Sequence, residues 1–129
     1  MDKTISYLRI LFHILTLLLI ILSLYPGSIL GFLFYGDSRL QPQITKDFLY
    51  ISSQHLYVYG LVATLGFFSY LRDKKFKLVV IYLFFLSIIL EVLHLVISER
   101  SFQTSDLASN ILGVLIAYIV VLIYKFWKK

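Results

Sequence analysis

The chain has 129 residues, of which 60% are hydrophobic and 15% are charged, and its mean hydropathy is +0.88. Soluble domains are about half apolar and about a quarter charged, so this composition indicates an integral membrane protein. The length fits one domain and excludes a separate soluble catalytic module, and the lack of cysteine excludes disulfides, thiolate nucleophiles and cysteine-based metal sites.

Four apolar segments are long enough to cross a bilayer, which requires about 20 residues. We therefore predict an all-α membrane protein, a four-transmembrane-helix bundle that forms a single domain over residues 1–129. The predicted spans cover residues 8–25, 48–71, 78–97 and 107–127. The first span is too long for a secretory signal, and no small-x-small cleavage pattern precedes Pro26. We interpret it as a mature helix.

The connections between these spans differ in length. The short connections 72–77 and 98–104 predict that the second, third and fourth spans are antiparallel neighbours. The connection 26–47 is long, and its segment Ile29–Tyr35 is apolar. Because irregular backbone is excluded from lipid, we expect this segment to lie in the membrane interface or to dip back against the bundle.

The basic residues predict the orientation. Four spans place both termini and the connection 72–77 on one side of the membrane, and nine of the twelve basic residues fall on that side. They are Lys3, Arg9, Arg72, Lys74, Lys75, Lys77, Lys125, Lys128 and Lys129. The positive-inside rule then predicts a multi-pass protein of a bacterial cytoplasmic membrane with both termini in the cytoplasm. The net charge of +5 is explained by this asymmetry, so we expect no nucleic-acid partner.

Polar residues cluster at the opposite, extracytoplasmic end. Glu91 and His94 are helical neighbours near the end of the third span, and Asp106, Asn110 and Gly113 form a stripe about 40° wide on the fourth. A glycine in such a stripe allows close approach of another helix. The polar stripe is therefore predicted to face Glu91 and His94.

Arg100 lies in the connection between these two helices, and we expect it to be the counter-charge for Glu91 or Asp106. Two interpretations of the cluster remain open. Buried polar groups can hold helix ends in register as a structural clasp. Ionisable groups next to hydrocarbon are costly, however, and usually mark a binding or catalytic site.

These residues together resemble a known family. The series Glu91-x-x-His94, Arg100-Ser101-Phe102 and Asp106-x-x-x-Asn110-x-x-Gly113-x-x-x-Ala117 resembles the VanZ-like family of small bacterial membrane proteins, whose pattern is Glu-x-x-Gln, an Arg, and Asp-x-x-x-Asn-x-x-Gly-x-x-x-Gly. His55 and Tyr59 fit the family's His-x-x-x-Tyr element. The resemblance covers about Phe48 to Val121, and this chain departs from the pattern at Ile51-Ser52, His94 and Ala117. It implies a cell-envelope protein and, from the family's name-giving member, a role in teicoplanin resistance to be tested, but no reaction.

A metal site is a further interpretation of the same residues. Glu91-x-x-His94 has the spacing of di-iron bundle ligands, but those sites need the motif twice. A single zinc could use His55, Glu91, His94 and Asp106. Because the family carries Gln at the position of His94, we predict no metal and no cofactor. His55 could instead act as a general base or hydrogen-bond a neighbouring helix.

The leading functional hypothesis is an integral membrane protein that binds a charged ligand at its extracytoplasmic end. The predicted ligand-binding residues are His55, Tyr59, Glu91, His94, Arg100, Asp106, Asn110 and Gly113. A phospholipid head group or a lipid-linked envelope precursor suits this location, with Arg100 contacting a phosphate or carboxylate. The alternatives are an enzyme acting on an envelope lipid, with Glu91 or His55 as proton carrier, and a structural protein that binds membrane lipids or another membrane protein.

Overall fold

The computed structural model describes residues 2–129, and these residues fold into helices without a β-sheet. The helices are α1 (Lys3–Leu24), α2 (Ile29–Tyr35), α3 (Ser53–Ser69), α4 (Phe76–Val92) and α5 (Thr104–Trp127), and a 3₁₀ turn over Leu93–Leu95 extends α4. The predicted all-α fold is thereby confirmed.

Three helices of the described chain are long and apolar enough to cross a membrane. They are α1, α4 with its 3₁₀ turn, and α5. Each coincides with a predicted span. The remaining predicted span corresponds to α3, which has 17 residues and is about 26 Å long. It is therefore shorter than the other three helices.

Helix α3 lies at the centre of the bundle and packs against α5, α1 and α4. Its buried residues include Tyr59, Val62, Ala63 and Phe67. The Phe67 ring makes an edge-on contact with Tyr118 of α5, with ring centroids 5.8 Å apart. The outward faces of α1, α4 and α5 are largely apolar and exposed, as expected of helices surrounded by lipid. The short helix thus packs against all three long ones and leaves one face, which includes Leu61, exposed.

The closest helix crossing joins α3 to α5 at two glycines. A Cβ atom on Gly113 would lie 2.7 Å from the carbonyl oxygen of Leu56 and 2.9 Å from the backbone nitrogen of Gly60. Real Cβ atoms are not found so close to backbone, so only glycine fits at position 113. The crossing holds the first turns of α3 and α5 together, which is where the polar residues lie.

The helix within the second predicted span begins later than the predicted start of that span. Helix α3 begins at Ser53 rather than at residue 48. The preceding segment forms a tight turn in which Phe48 and Ile51 exchange backbone hydrogen bonds of 2.9 Å and Leu49 has a φ of 53°. The Ser53 side chain then donates to the carbonyl of Thr45 at 2.8 Å. This turn sets the position of the first helical residues.

The apolar segment of the long connection forms the short helix α2. It begins after Ser28, whose hydroxyl accepts a hydrogen bond from the Gly31 backbone at 2.9 Å. It ends at Gly36, which has a left-handed φ of 68°, a conformation that glycine adopts without strain. Phe32 and Leu33 are exposed, so this segment keeps an uncovered apolar surface at the polar end of the bundle.

Candidate functional site

The polar residues predicted from the sequence come together at one end of the bundle. His55 lies in the first turn of α3, Glu91 in the last turn of α4 and Asp106 in the first turn of α5. One potential ligand atom from each lies within 4.8 Å of the others. Residues far apart in the chain therefore form a single cluster, which could hold a cation.

Asn110 connects the three helices of this cluster. Its side chain is 1% exposed, and its Nδ2 donates to the backbone carbonyl of Ser87 on α4 at 3.2 Å. Because a carbonyl can only accept, this bond fixes the amide orientation and turns Oδ1 toward His55 Nδ1, 2.8 Å away. His55 therefore carries a hydrogen on Nδ1, and in the neutral ring Nε2 holds a lone pair. Nε2 lies 3.8 Å from Asp106 Oδ2.

The Glu91 carboxylate is fully buried, and its two oxygens have different surroundings. Oε1 accepts a hydrogen bond from the backbone nitrogen of Gln103 at 3.1 Å and lies 3.3 Å from His94 Nδ1. Within residues 2–129, Oε2 has no hydrogen-bond partner. A buried carboxylate oxygen without a partner is costly and calls for an explanation.

His94 connects the end of α4 to the end of α1. Its Nε2 donates to the backbone carbonyl of Ser23 at 2.9 Å, while its Nδ1 faces Glu91. Both ring nitrogens thus face acceptors, which matches a ring carrying two hydrogens beside a carboxylate. One ring nitrogen of His94 thus contacts α1, and the other contacts Glu91 in the preceding turn of its own helix.

Arg100 does not pair directly with Glu91 or Asp106, so the predicted direct counter-charge is wrong. In the described chain its guanidinium donates to the backbone carbonyls of Leu22 at 2.7 Å and Tyr25 at 3.1 Å. These carbonyls lie at the C-terminus of α1, where helical hydrogen bonds run out and the helix dipole is negative. Burial lowers the pKa of Arg100, and the more distant carboxylates raise it by a smaller amount.

Two cavities lie beside the cluster. A polar cavity of about 630 Å³ opens at this end of the bundle and is lined by both His55 and Asp106. A smaller cavity of about 120 Å³ has largely apolar walls and includes Tyr59. Both cavities are lined by Ser28, Gln41, Gln54, His55, His94 and Arg100. Glu91, Asn110 and Gly113 line neither and lie in the protein behind the walls.

Three residues of the shared wall, Ser28, Gln41 and Gln54, are not among those predicted from the sequence. Ser28 and Gln41 belong to the long connection after α1, and they hydrogen-bond to each other at 3.2 Å. No helical periodicity relates them to the cluster, so the sequence offers no signal for them. Gln54 is different, because it directly precedes His55 in a polar stretch at the start of a predicted span. The sequence therefore does contain a signal for Gln54.

The helices and the polar cluster define the class of this protein as an all-helical integral membrane protein with ionisable groups gathered at one end of its bundle. The chain belongs to the VanZ/LLP1 family, whose sequence profile matches residues 10–126. This match confirms the family that the sequence motifs indicated. No curated protein and no solved structure matches the chain.

Proposed function

We propose that this protein is a four-span bundle of a bacterial cytoplasmic membrane whose polar cavity binds the anionic head group of an envelope lipid or lipid-linked precursor. Helix α3 is the additional span in this proposal, because its antiparallel neighbours α4 and α5 are long enough to cross a bilayer. The basic residues near both termini and in the connection 72–77 favour cytoplasmic termini. The polar cavity then faces outward.

The observation that carries the proposal is the shared wall of the two cavities. The large cavity is polar and open, whereas the small one is lined by side chains such as Leu19, Leu22 and Val58. A molecule with a charged head and an apolar chain matches this pair of surfaces. The six residues that line both cavities would lie where the head joins the chain.

Arg100 supplies the positive charge for an anionic head group. Two of its N–H groups are held by α1 carbonyls, and a guanidinium has further donors that remain for a phosphate or carboxylate. The other arginine that lines the polar cavity, Arg39, is already paired with Asp37 at 3.0 Å. Arg100 is therefore the cation on which the proposed binding depends.

The test is equilibrium binding of decyl phosphate to purified protein in a nonionic detergent. We expect decyl phosphate to bind more tightly than inorganic phosphate, because its chain would be buried in the apolar cavity, and a neutral decyl glycoside should not compete. Arg100→Lys should weaken binding about tenfold, or about 1.4 kcal/mol. Arg72→Lys, an exposed arginine in the connection between α3 and α4, is the matched control. Equal binding by Arg100→Lys and wild type would contradict the proposal.

A role in glycopeptide resistance is a separate, cellular part of the proposal, and it rests on the name of the family. Expression of the protein in a teicoplanin-sensitive host should raise the inhibitory concentration of teicoplanin. Arg100→Lys at the same abundance should remove that increase. An unchanged inhibitory concentration with the wild-type protein would exclude this role and leave lipid binding to be judged by the decyl phosphate measurement.

A structural clasp is the second candidate, and the contacts of Arg100 and Asn110 with other helices favour it. Asp106 separates the two candidates. Its only ionic contact in the described chain is with His55 at 3.8 Å, so a clasp would depend on this contact to hold α3 and α5 together. If the cluster were only a clasp, Asp106→Ala should lower thermal stability and abundance. If the cluster is a ligand site, stability should stay close to wild type.

A further inference from the structure

We propose that His55, Glu91 and Asp106 form a binding site for one divalent cation, with zinc as the ion that best matches the ligands. Their potential ligand atoms come from three helices and lie within 4.8 Å of one another. The site does not depend on lipid binding and can be tested with the metal ion alone. Two further observations support it.

The first observation is the orientation of His55. Its Nδ1 hydrogen is directed to Asn110 Oδ1 at 2.8 Å, and the Asn110 amide is itself fixed by Ser87. Nε2 is therefore free to present its lone pair toward Asp106 Oδ2 at 3.8 Å. A metal-binding histidine commonly donates its other ring hydrogen to a fixed acceptor. Asn110 is a positioning residue in this arrangement.

The second observation is the unpartnered oxygen of Glu91. Oε1 has a backbone donor and His94 beside it, whereas Oε2 is buried and has no hydrogen-bond partner in residues 2–129. The carboxylate also supplies an atom to the group formed with His55 and Asp106. Coordination of a cation would compensate the desolvation of this carboxylate.

The ligand chemistry favours zinc among common divalent ions. One imidazole nitrogen and two carboxylate oxygens are all good zinc ligands, whereas magnesium and calcium prefer oxygen alone. The two carboxylates would supply two negative charges to the ion, and that of Glu91 also faces the His94 ring. An inward movement is needed, because the potential ligand atoms lie within 4.8 Å of one another and those of His55 and Asp106 are 3.8 Å apart. Two ligands placed about 2.0–2.2 Å from one tetrahedral zinc are about 3.4 Å apart.

The site differs from the four-ligand zinc site considered from the sequence, because His94 is not a ligand. Both of its nitrogens are engaged by Ser23 and Glu91. The family's Gln at this position therefore does not weigh against a metal. Three protein ligands would leave a coordination position open, and water would reach it from the polar cavity that His55 and Asp106 line.

The experiment measures zinc bound to the full chain in detergent after removal of metal with EDTA, equilibration with Zn²⁺ and gel filtration. We expect about one zinc per chain for the wild type. His55→Gln should lose it, and Asp106→Asn, which is nearly isosteric, provides a second test if His55→Gln does not fold. His13→Gln is the matched control, since His13 lies on α1, outside the proposed site, and contacts Tyr70 at 2.9 Å.

Thermal stability provides an independent readout. Zn²⁺ should raise the melting temperature of the wild type and of His13→Gln, because a ligand that binds the folded state stabilises it. It should not raise that of Asp106→Asn. The proposal is overturned if the wild type binds no zinc, or if zinc binding and the melting shift persist in both His55→Gln and Asp106→Asn. Either result leaves the decyl phosphate test unaffected, so the two proposals fail separately.

Discussion

The two ends of the bundle differ in whether their buried and half-buried charged side chains form ion pairs with one another. At the end that carries the termini, Arg9 makes a direct ion pair with Asp73 at 2.8 Å. The same guanidinium donates to the Ser69 carbonyl at 2.9 Å and lies 4.2 Å from the centre of the Tyr70 ring. Arginine and carboxylate thus satisfy each other and fasten α1 to the connection after α3.

At the other end the arginine and the carboxylates are kept apart. Arg100 is bound by α1 carbonyls, Glu91 retains a buried oxygen without a partner in the described chain, and Asp106 reaches only His55 at 3.8 Å. Ionisable residues near a membrane therefore do not all indicate function. The ionisable groups that indicate a ligand site are those that lie near a cavity and have donors or acceptors without a partner in the protein.

The largest expected effect concerns the glycine crossing that brings the open cluster together. Gly113→Ala should destabilise the protein by about 3 kcal/mol, the upper part of the range for overpacking, because its Cβ would meet backbone at 2.7 Å. Thermal denaturation in detergent measures this. Gly60→Ala is the matched control, since its Cβ would lie 3.6 Å from Gly113 oxygen, an ordinary contact. Equal melting temperatures for the two variants would show that the crossing has room for a side chain at position 113.

Asn110→Leu should have the next largest effect, a loss of about 1–3 kcal/mol in the free energy of unfolding, because the His55 Nδ1 hydrogen would lose its acceptor and the bond from the amide to the Ser87 carbonyl would also be lost. Chemical denaturation in mixed micelles measures this loss. Ser87→Ala is the control, since the Ser87 hydroxyl donates only within its own helix, to Phe84 at 2.6 Å. A near-neutral Asn110→Leu would mean that the network does not hold the three helices together.

The smallest expected effect is a pH dependence at the opposite, paired end. Hydrogen bonds from the Lys75 backbone and from Arg9 hold the pKa of Asp73 below its ordinary value of 3.8. A lowered folded-state pKa gives stability that is present above the unfolded pKa and is lost as the pH falls through the folded one. Melting temperatures should therefore decline below about pH 4, and Asp73→Asn should reduce that decline. An identical acid profile for Asp73→Asn and wild type would rule out this contribution.

The sequence predicts local and periodic features of this protein well. Apolar length identifies α1, α4 and α5, and helical spacing places Asp106, Asn110 and Gly113 on one face of α5. The start of α3 is not predicted correctly from the sequence. The turn at Leu49, with its positive φ, interrupts an apolar stretch whose composition indicates a continuous helix. Turn geometry of this kind has no periodic signal.

The partners of Arg100 also escape prediction, and for another reason. They are backbone carbonyls of Leu22 and Tyr25, which are separated from Arg100 by more than 70 positions. Every residue has a backbone carbonyl, so side-chain identity does not indicate which carbonyls at a helix end accept a hydrogen bond. The nearby opposite charges of Glu91 and Asp106 therefore predicted an ion pair with Arg100. In the structure, carbonyls at the end of α1 bind Arg100 instead.

The most direct test of the central claim compares the two arginines by the same substitution. Arg9→Lys and Arg100→Lys each keep the charge and remove the planar guanidinium, and decyl phosphate binding and melting temperature are measured on both. We expect Arg9→Lys to lower the melting temperature and to leave decyl phosphate affinity unchanged, whereas Arg100→Lys should weaken that affinity about tenfold. Wild-type affinity in Arg100→Lys, or equal loss of affinity in both variants, would contradict the claim that the open end of the bundle is a ligand site.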